Sequence, residues 1–173
     1  MPEIMNRQIQ MASRPTGNPA PKDFCLVEGK IPDVTEDHLL VRNRFLSLDP
    51  YMRGRMSAAK SYAKPVEVGE VITGGTVGQV TQSRHPGFGE GDLVVTHGGW
   101  QEYSVVKGTE CKKVNPSWPS PSLALGVLGM PGMTAYTGMK NIGKPVAGET
   151  VVVAAASGAV GSVVGQIAKI RGA

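Results

Sequence analysis

The chain has 173 residues, with 18 basic against 14 acidic side chains and a formal net charge of +4, and its basic residues are scattered except at Arg42/Arg44, Arg53/Arg55 and Lys112-Lys113. That excludes a basic nucleic-acid stripe with interleaved aromatics. Two widely separated cysteines, Cys25 and Cys111, exclude a disulfide framework, and no run of roughly eighteen apolar residues exists to cross a membrane as a helix. The N-terminus also lacks the basic region and apolar stretch of a secretory signal, so a reduced, cytoplasmic protein is expected.

Residues 1–23 carry Arg7, Arg14 and the prolines Pro2, Pro15, Pro19 and Pro21, which reads as an edge strand and an irregular lead-in. Phe24 to Glu28 is a short strand. His38 to Leu48 is a better one, with period-two alternation over Val41-Arg42-Asn43-Arg44-Phe45. Pro50 stops that strand and Asp49 is placed to cap the next turn, so Tyr51, Arg53 and Arg55 belong to a loop or short helix. Beyond it lies a polar loop centred on Ser61-Tyr62. Val68 to Gln82 reads as two short strands broken by glycines, as in a small curved barrel. The turn from His85 to Asp92, the strand Leu93 to Thr96, and the turn and strand from Gly98 to Val106 extend a partly open barrel to about Val114. The evenly spread glycines and prolines, 23 and 13, suit many turns between short strands.

From Ser122 the pattern changes. Leu123, Ala124, Leu125, Val127 and Leu128 read as a short buried helix, Gly129 to Met133 as an interruption, and Thr134 to Met139 as a resumed helix capped by Thr134. Gly143 to Glu149 turns the chain into Thr150 to Ala156, whose Val151-Val152-Val153 and alanines suit a parallel strand covered on both faces. A glycine turn leads into a helix in which Val160, Val163, Val164, Ile167 and Ala168 share a face and Lys169 and Arg171 lie near the end that favours cations. Ala156-x-Gly158-x-x-Gly161 is the dinucleotide fingerprint with alanine at its first position. Gly158 lets the backbone approach a pyrophosphate, Gly161 lets helix and strand pack closely, and the amides of the helix start face the anion. An ordinary tight turn in an α/β sheet has the same pattern, and the acidic partner expected about twenty residues later would fall beyond Ala173. A strand and one helix do not complete a sheet domain. The expected layout is therefore a β domain over 1–128, a joint over 129–148, and over 149–173 the first strand, turn and helix of a truncated dinucleotide-binding domain.

Metal chemistry is not expected. A zinc site needs three or four clustered ligands, and Cys25, Cys111, His38, His85 and His97 show no such spacing. A resemblance is specific, however. Ser47 to Met56 (SLDPYMRGRM), the His85-Pro86 turn ahead of Gly91-Asp92, Gly99-Trp100, Gly126 to Tyr136 (GVLGMPGMTAY) and Ala155 to Gly161 together resemble the zinc-independent medium-chain dehydrogenase/reductases. Within them the match is to the prostaglandin reductase, alkenal double-bond reductase and NADPH-dependent curcumin reductase type, in matching order over nearly the whole chain.

The resemblance implies a GroES-like, partly open barrel followed by the first βα unit of a Rossmann domain. It also implies NADPH as cofactor and reduction of the C=C bond of an α,β-unsaturated aldehyde or ketone by hydride transfer to the β-carbon. Tyr51 is implied as the catalytic contact to the substrate carbonyl. Pro50, Tyr51, Met130, Thr134, Ala155, Ala156, Ser157, Gly158, Ala159, Val160 and Gly161 are implied in holding the cofactor. Plainer roles remain open: Tyr51 packed on the barrel, Arg53 and Arg55 as loop charges with at least one structural, Tyr62 merely exposed, Met130 and Met133 as filler. The implied parent is a homodimeric enzyme acting on a small enone or alkenal, with no nucleic-acid or membrane partner, and the 173 residues alone are expected to be inactive. A quinone oxidoreductase and a non-catalytic structural module are the alternatives.

Overall fold

The computed structural model describes residues 5–173; Pro2, counted above with the edge strand, lies outside the described residues. The described residues form two compact units that divide after Pro116.

The first unit is antiparallel β structure. Strands β1 (Met5–Met11) and β2 (Phe24–Lys30) pair over their full length, Met5 opposite Lys30 and Met11 opposite Phe24. Strands β3 (His38–Leu46), β4 (Thr76–Ser83), β5 (Leu93–Thr96), β6 (Tyr103–Lys107) and β7 (Lys112–Lys113) form a five-stranded sheet in the order β6-β3-β4-β5-β7. The free edge of β1 is not left open. The Ile9 amide donates to the Trp100 carbonyl at 2.8 Å, and the Ile72 amide donates to the Ile9 carbonyl at 3.0 Å. Single bridges join Gln8 to Gln101 and Gln10 to Val71. Covering an edge in this way is what turns two sheets into a partly open barrel.

Alternation along β3 drives Leu39 and Val41 into a core with Val80, Val94, Val106 and Cys111, while Arg42 points outward. Register shifts between Leu40 and Val41 and between Asn43 and Phe45 bend the strand. A second cluster, Met11, Met52, Met56, Val66 and Ile72, lies under the short helix α1 (Tyr51–Arg55). The Cys111 thiol is buried and its Sγ lies 3.4 Å from the Lys107 carbonyl oxygen; burial pushes its pKa up.

Three expectations change in this unit. Val68 to Gln82 supplies one strand rather than two, because its first half is used to pair the edge of β1 around Glu70 and Ile72. The long strand stops at Leu46, and the Ser47 amide turns aside to the Gly75 carbonyl at 2.9 Å. Asp49 caps α1 through its backbone carbonyl, which accepts from the Met52 amide at 3.0 Å, with no side-chain cap bond.

The second unit is helical: a 3-10 turn at Pro121–Leu125, α2 (Met130–Thr137), a π-helical segment at Gly138–Gly143 and α3 (Gly161–Ile170). Met130-Pro131-Gly132-Met133 opens α2 instead of interrupting a helix. Proline in a first turn loses an N–H that has no helical partner anyway, so Gly129 occupies the cap position. Thr134 is thus inside the helix, its Oγ1 donating to the Met130 carbonyl at 2.8 Å. The helix ending at Leu125 buries only Ala124 fully, with Val127 and Leu128 exposed beyond it.

The strand expected at Thr150 to Ala156 does not form, and Val152 is 91% exposed. A parallel strand exists only by sharing hydrogen bonds with neighbours, and no strand among the described residues pairs with this run. The βα unit is therefore a helix preceded by extended and turning chain, without its sheet. Helix α3 forms as expected, its buried residue being Ala168.

The central sheet has one point where no side chain fits. A Cβ at Gly78 would lie 2.4 Å from Val41 Cγ1 and 2.6 Å from the Arg42 carbonyl oxygen. Gly78→Ala is expected to cost about 2–3 kcal/mol in urea unfolding. Gly54→Ala on α1, whose added methyl meets nothing within 4 Å, is expected to leave stability unchanged or raise it by up to about 1 kcal/mol.

Candidate functional site

Pro50 and Tyr51 start α1, where Pro50 adopts φ −56° and ψ −29° and leads straight into the helix. Tyr51 is half-buried against the methionine-rich cluster. Below this loop the packing is tight: a Cβ at Gly74 would lie 2.8 Å from Leu46 Cδ1 and 2.9 Å from Met52 Cε. Burial pushes the Tyr51 phenol up and the Asp49 carboxylate adds to it, while the Gly75 backbone and the Arg55 guanidinium act in the opposite direction. The phenol therefore keeps its proton at neutral pH and stands as a hydrogen-bond donor.

The helix is pinned from one side. Arg53 donates from Nε and Nη2 to the Gly17 carbonyl, at 3.1 and 2.8 Å, and from Nη2 to the Pro15 carbonyl at 3.1 Å. Arg14 donates to the carbonyls of Met56 and Val66, at 3.2 and 3.1 Å, and pairs with Glu67. Arg53 is thus structural. Arg55 differs, because its Nε is buried without a hydrogen-bond partner. Tyr62 is 87% exposed. Beside these elements, Ile9, Leu26, Leu46 and Trp100 line an apolar groove of about 250 Å³, with the Trp100 indole stacked on Phe24 at 5.9 Å. In the sequence Trp100 comes after two glycines and reads only as part of a turn; its size in a turn is the signal that marks it.

In the second unit, Ala155 to Gly161 form one exposed turn leading into α3. The Gly158 amide donates to the Ala155 carbonyl and the Ser162 amide to the Gly158 carbonyl, both at 2.9 Å. Ala155 takes the left-handed conformation at φ 51°, which costs an alanine roughly 1 kcal/mol. A Cβ at Gly161 would lie 2.4 Å from the Ala155 carbonyl oxygen and 3.0 Å from Ala156 Cα. Gly161 is thus the residue that lets the helix start pass over the turn. The Val163 and Val164 amides likewise donate to the Val160 carbonyl, at 3.1 and 3.0 Å, so these amides of the first turn of α3 are used within the chain. Met130 and Thr134 lie one turn apart on α2, both exposed.

Among the described residues, no group of three or more His, Cys, Asp or Glu is arranged to hold a metal ion. No helix among them is long and apolar enough to cross a membrane.

Residues 7–114 match the family described as the N-terminal domain of oxidoreductase. The chain belongs to this family. Its relatives are medium-chain reductases. The NADPH-dependent curcumin reductase of Escherichia coli is 50% identical over 167 residues, 96% of this chain and 48% of that protein. The NADP-dependent 2-alkenal reductase of Nicotiana tabacum is 42% identical over 98% of this chain and 51% of that protein. The structure of CurA from Vibrio vulnificus in complex with NADPH aligns with a TM-score of 0.90 at 53% identity, covering 96% of this chain and 49% of that one. The chain therefore spans about half the length of the medium-chain reductases it matches.

Gly161→Ala is expected to push the helix start off the turn, which hydrogen exchange reads as lost protection at the Gly158 and Ser162 amides. The raised Tyr51 pKa predicts a pH effect. The folded chain holds the phenol proton to higher pH than the unfolded chain, so the stability linked to it is complete below about pH 10 and is lost as pH rises further. Thermal melts above pH 10 are expected to fall less steeply for Tyr51→Phe than for the native chain.

Proposed function

We propose that the chain is the N-terminal part of an NADPH-dependent oxidoreductase that reduces the C=C bond of α,β-unsaturated aldehydes or ketones. The observation that carries this reading is the Tyr51 phenol, kept protonated on a short helix that Arg53 ties to the Pro15–Gly17 carbonyls. Support comes from relatives named for the reduction of curcumin and 2-alkenals. In this reading residues 1–128 are the substrate side, 129–148 the joint and 149–173 the first part of the nucleotide domain. The parent is a cytoplasmic homodimer.

When bound, NADPH supplies a hydride to the substrate β-carbon. The π electrons of the C=C bond then move toward the carbonyl, whose oxygen becomes enolate-like, and a proton drawn from water adds at the α-carbon as the carbonyl re-forms. Tyr51 donates its hydrogen bond to that oxygen, where charge develops, and Pro50 holds the loop that presents it. The turn Ala155 to Gly161 takes a pyrophosphate on its free amides, and Gly161 lets the helix start pack on the Ala155 carbonyl so that the turn keeps its shape. Met130 and Thr134 lie on the cofactor side, Thr134 steadied by its bond to the Met130 carbonyl. The chain alone holds only part of this machinery and is inactive.

Absorbance at the NADPH band tests the reading. The product of the complete reading frame is expected to oxidise NADPH in the presence of small enones, faster than NADH and faster than with quinones. Tyr51→Phe is expected to lower kcat about 100-fold. Turnover of quinones alone, or full activity in Tyr51→Phe, would count against the reading. A reading frame that ends at Ala173 with no turnover would favour a non-catalytic module.

A further inference from the structure

Among the described residues Asp23 is the one carboxylate that is buried, at 3% exposure. A buried charge is costly unless hydrogen bonds meet it. Here the carboxylate accepts from the Ser13 hydroxyl at 2.7 Å and from the Ala20 amide at 2.8 Å, while the Asp23 backbone carbonyl accepts from the Ala12 amide at 2.8 Å. One residue thus closes both ends of the loop between β1 and β2. The Ser13 bond foremost, and then the Ala20 bond, holds the carboxyl below the usual carboxylate range, so at neutral pH it is ionised and only accepts.

That loop carries the anchorage of α1 in both directions. Its Arg14 Nη1 donates to the Met56 and Val66 carbonyls, and its own Pro15 and Gly17 carbonyls accept from Arg53. Gly17 stands at φ 79°, in the left-handed region that glycine enters freely, and its carbonyl takes two of the three Arg53 bonds. Such acceptors hold a helix in place only if the loop that bears them keeps its own place. Helix α1 has five residues with Tyr51 at its start, so a displacement of the Pro15 and Gly17 carbonyls passes through Arg53 to the phenol.

We propose that Asp23 is a positioning residue for Tyr51: its carboxylate fixes the loop over 12–20, the loop fixes Arg53, and Arg53 fixes the helix that aims the phenol. The effect on turnover rests on the enone-reductase reading, to which the inference adds a residue that acts only through Tyr51.

Two measurements test it. In the product of the complete reading frame, Asp23→Ala is expected to lower kcat for a small enone about tenfold. Asp23→Asn is expected to recover most of that loss, since its oxygen still accepts from the Ala20 amide and its NH₂ donates to the Ser13 hydroxyl. In a Tyr51→Phe background, Asp23→Ala is expected to lower kcat by less than about twofold. An equal fall in both backgrounds, which a merely structural role gives, overturns the proposal, and so does a native kcat in Asp23→Ala. Ser13→Ala is the milder variant, expected to lower kcat about threefold with the same dependence on Tyr51. The second measurement needs no turnover. In the 173-residue chain, the ¹⁵N–¹H resonance of Arg53 Nε and the ring resonances of Tyr51 are compared in the native protein, Ser13→Ala, Asp23→Ala and Asp23→Asn. Shifts at both residues in the two alanine variants, with native positions in Asp23→Asn, support the positioning role even if no enone is reduced, in which case only the reductase reading fails. Unmoved Arg53 and Tyr51 resonances in Ser13→Ala and Asp23→Ala overturn it whether or not enones are turned over.

Discussion

Pairing of backbone edges decides what this chain can build. The first unit satisfies the outer edge of β1 from two distant stretches, at Glu70–Ile72 and at Trp100–Glu102. With that edge paired, the two sheets enclose separate apolar clusters, and the methionine-rich one supports α1. Among the described residues the second unit has no sheet for Thr150 to Ala156 to join, so Val151 to Val153 lie outside any strand with Val152 exposed, and Ala154 to Ala156 turn. A strand is a property of its neighbours as much as of its residues.

The same dependence on backbone groups shapes the candidate site. The helix that presents Tyr51 has only five residues and no side-chain cap, too short to hold itself together in water. It is held instead by the Arg53 guanidinium reaching carbonyls far away in sequence, at Pro15 and Gly17, and by Arg14 Nη1, which donates to the carbonyls of both Met56 and Val66. The half-buried phenol thus stands on an anchored base, which suits the role proposed for it as a donor to a developing oxyanion.

Much of the barrel is legible in the sequence because it rests on local signals. Alternation marks the strand from His38, short β-branched runs mark Leu93 to Thr96 and Tyr103 to Lys107, and Pro50 marks the start of a short helix, while the strand itself ends earlier, at Leu46. The illegible parts are those that depend on distant partners. Gln10 meeting Val71 across the chain leaves no mark in either segment. The role of Arg53 is hidden because its acceptors are main-chain oxygens, which every residue has. Pro131 reads as a breaker although a first-turn proline favours a helix start, and that displaces Thr134 from cap to interior. Gly161 is legible as a packing glycine; that it packs on the Ala155 carbonyl rather than on a strand is not.

Cysteine placement bears on how such a protein survives its own chemistry. On the proposed reading the substrates are Michael acceptors, which alkylate thiolates and leave neutral thiols largely alone. Cys111 lies inside the barrel core, beside the Lys107 carbonyl, in surroundings that disfavour its ionised form. Burial there does two things at once: it fills space between strands, and it keeps a nucleophilic sulfur both unreachable and protonated, so the electrophile can be handled without adduct formation at that position.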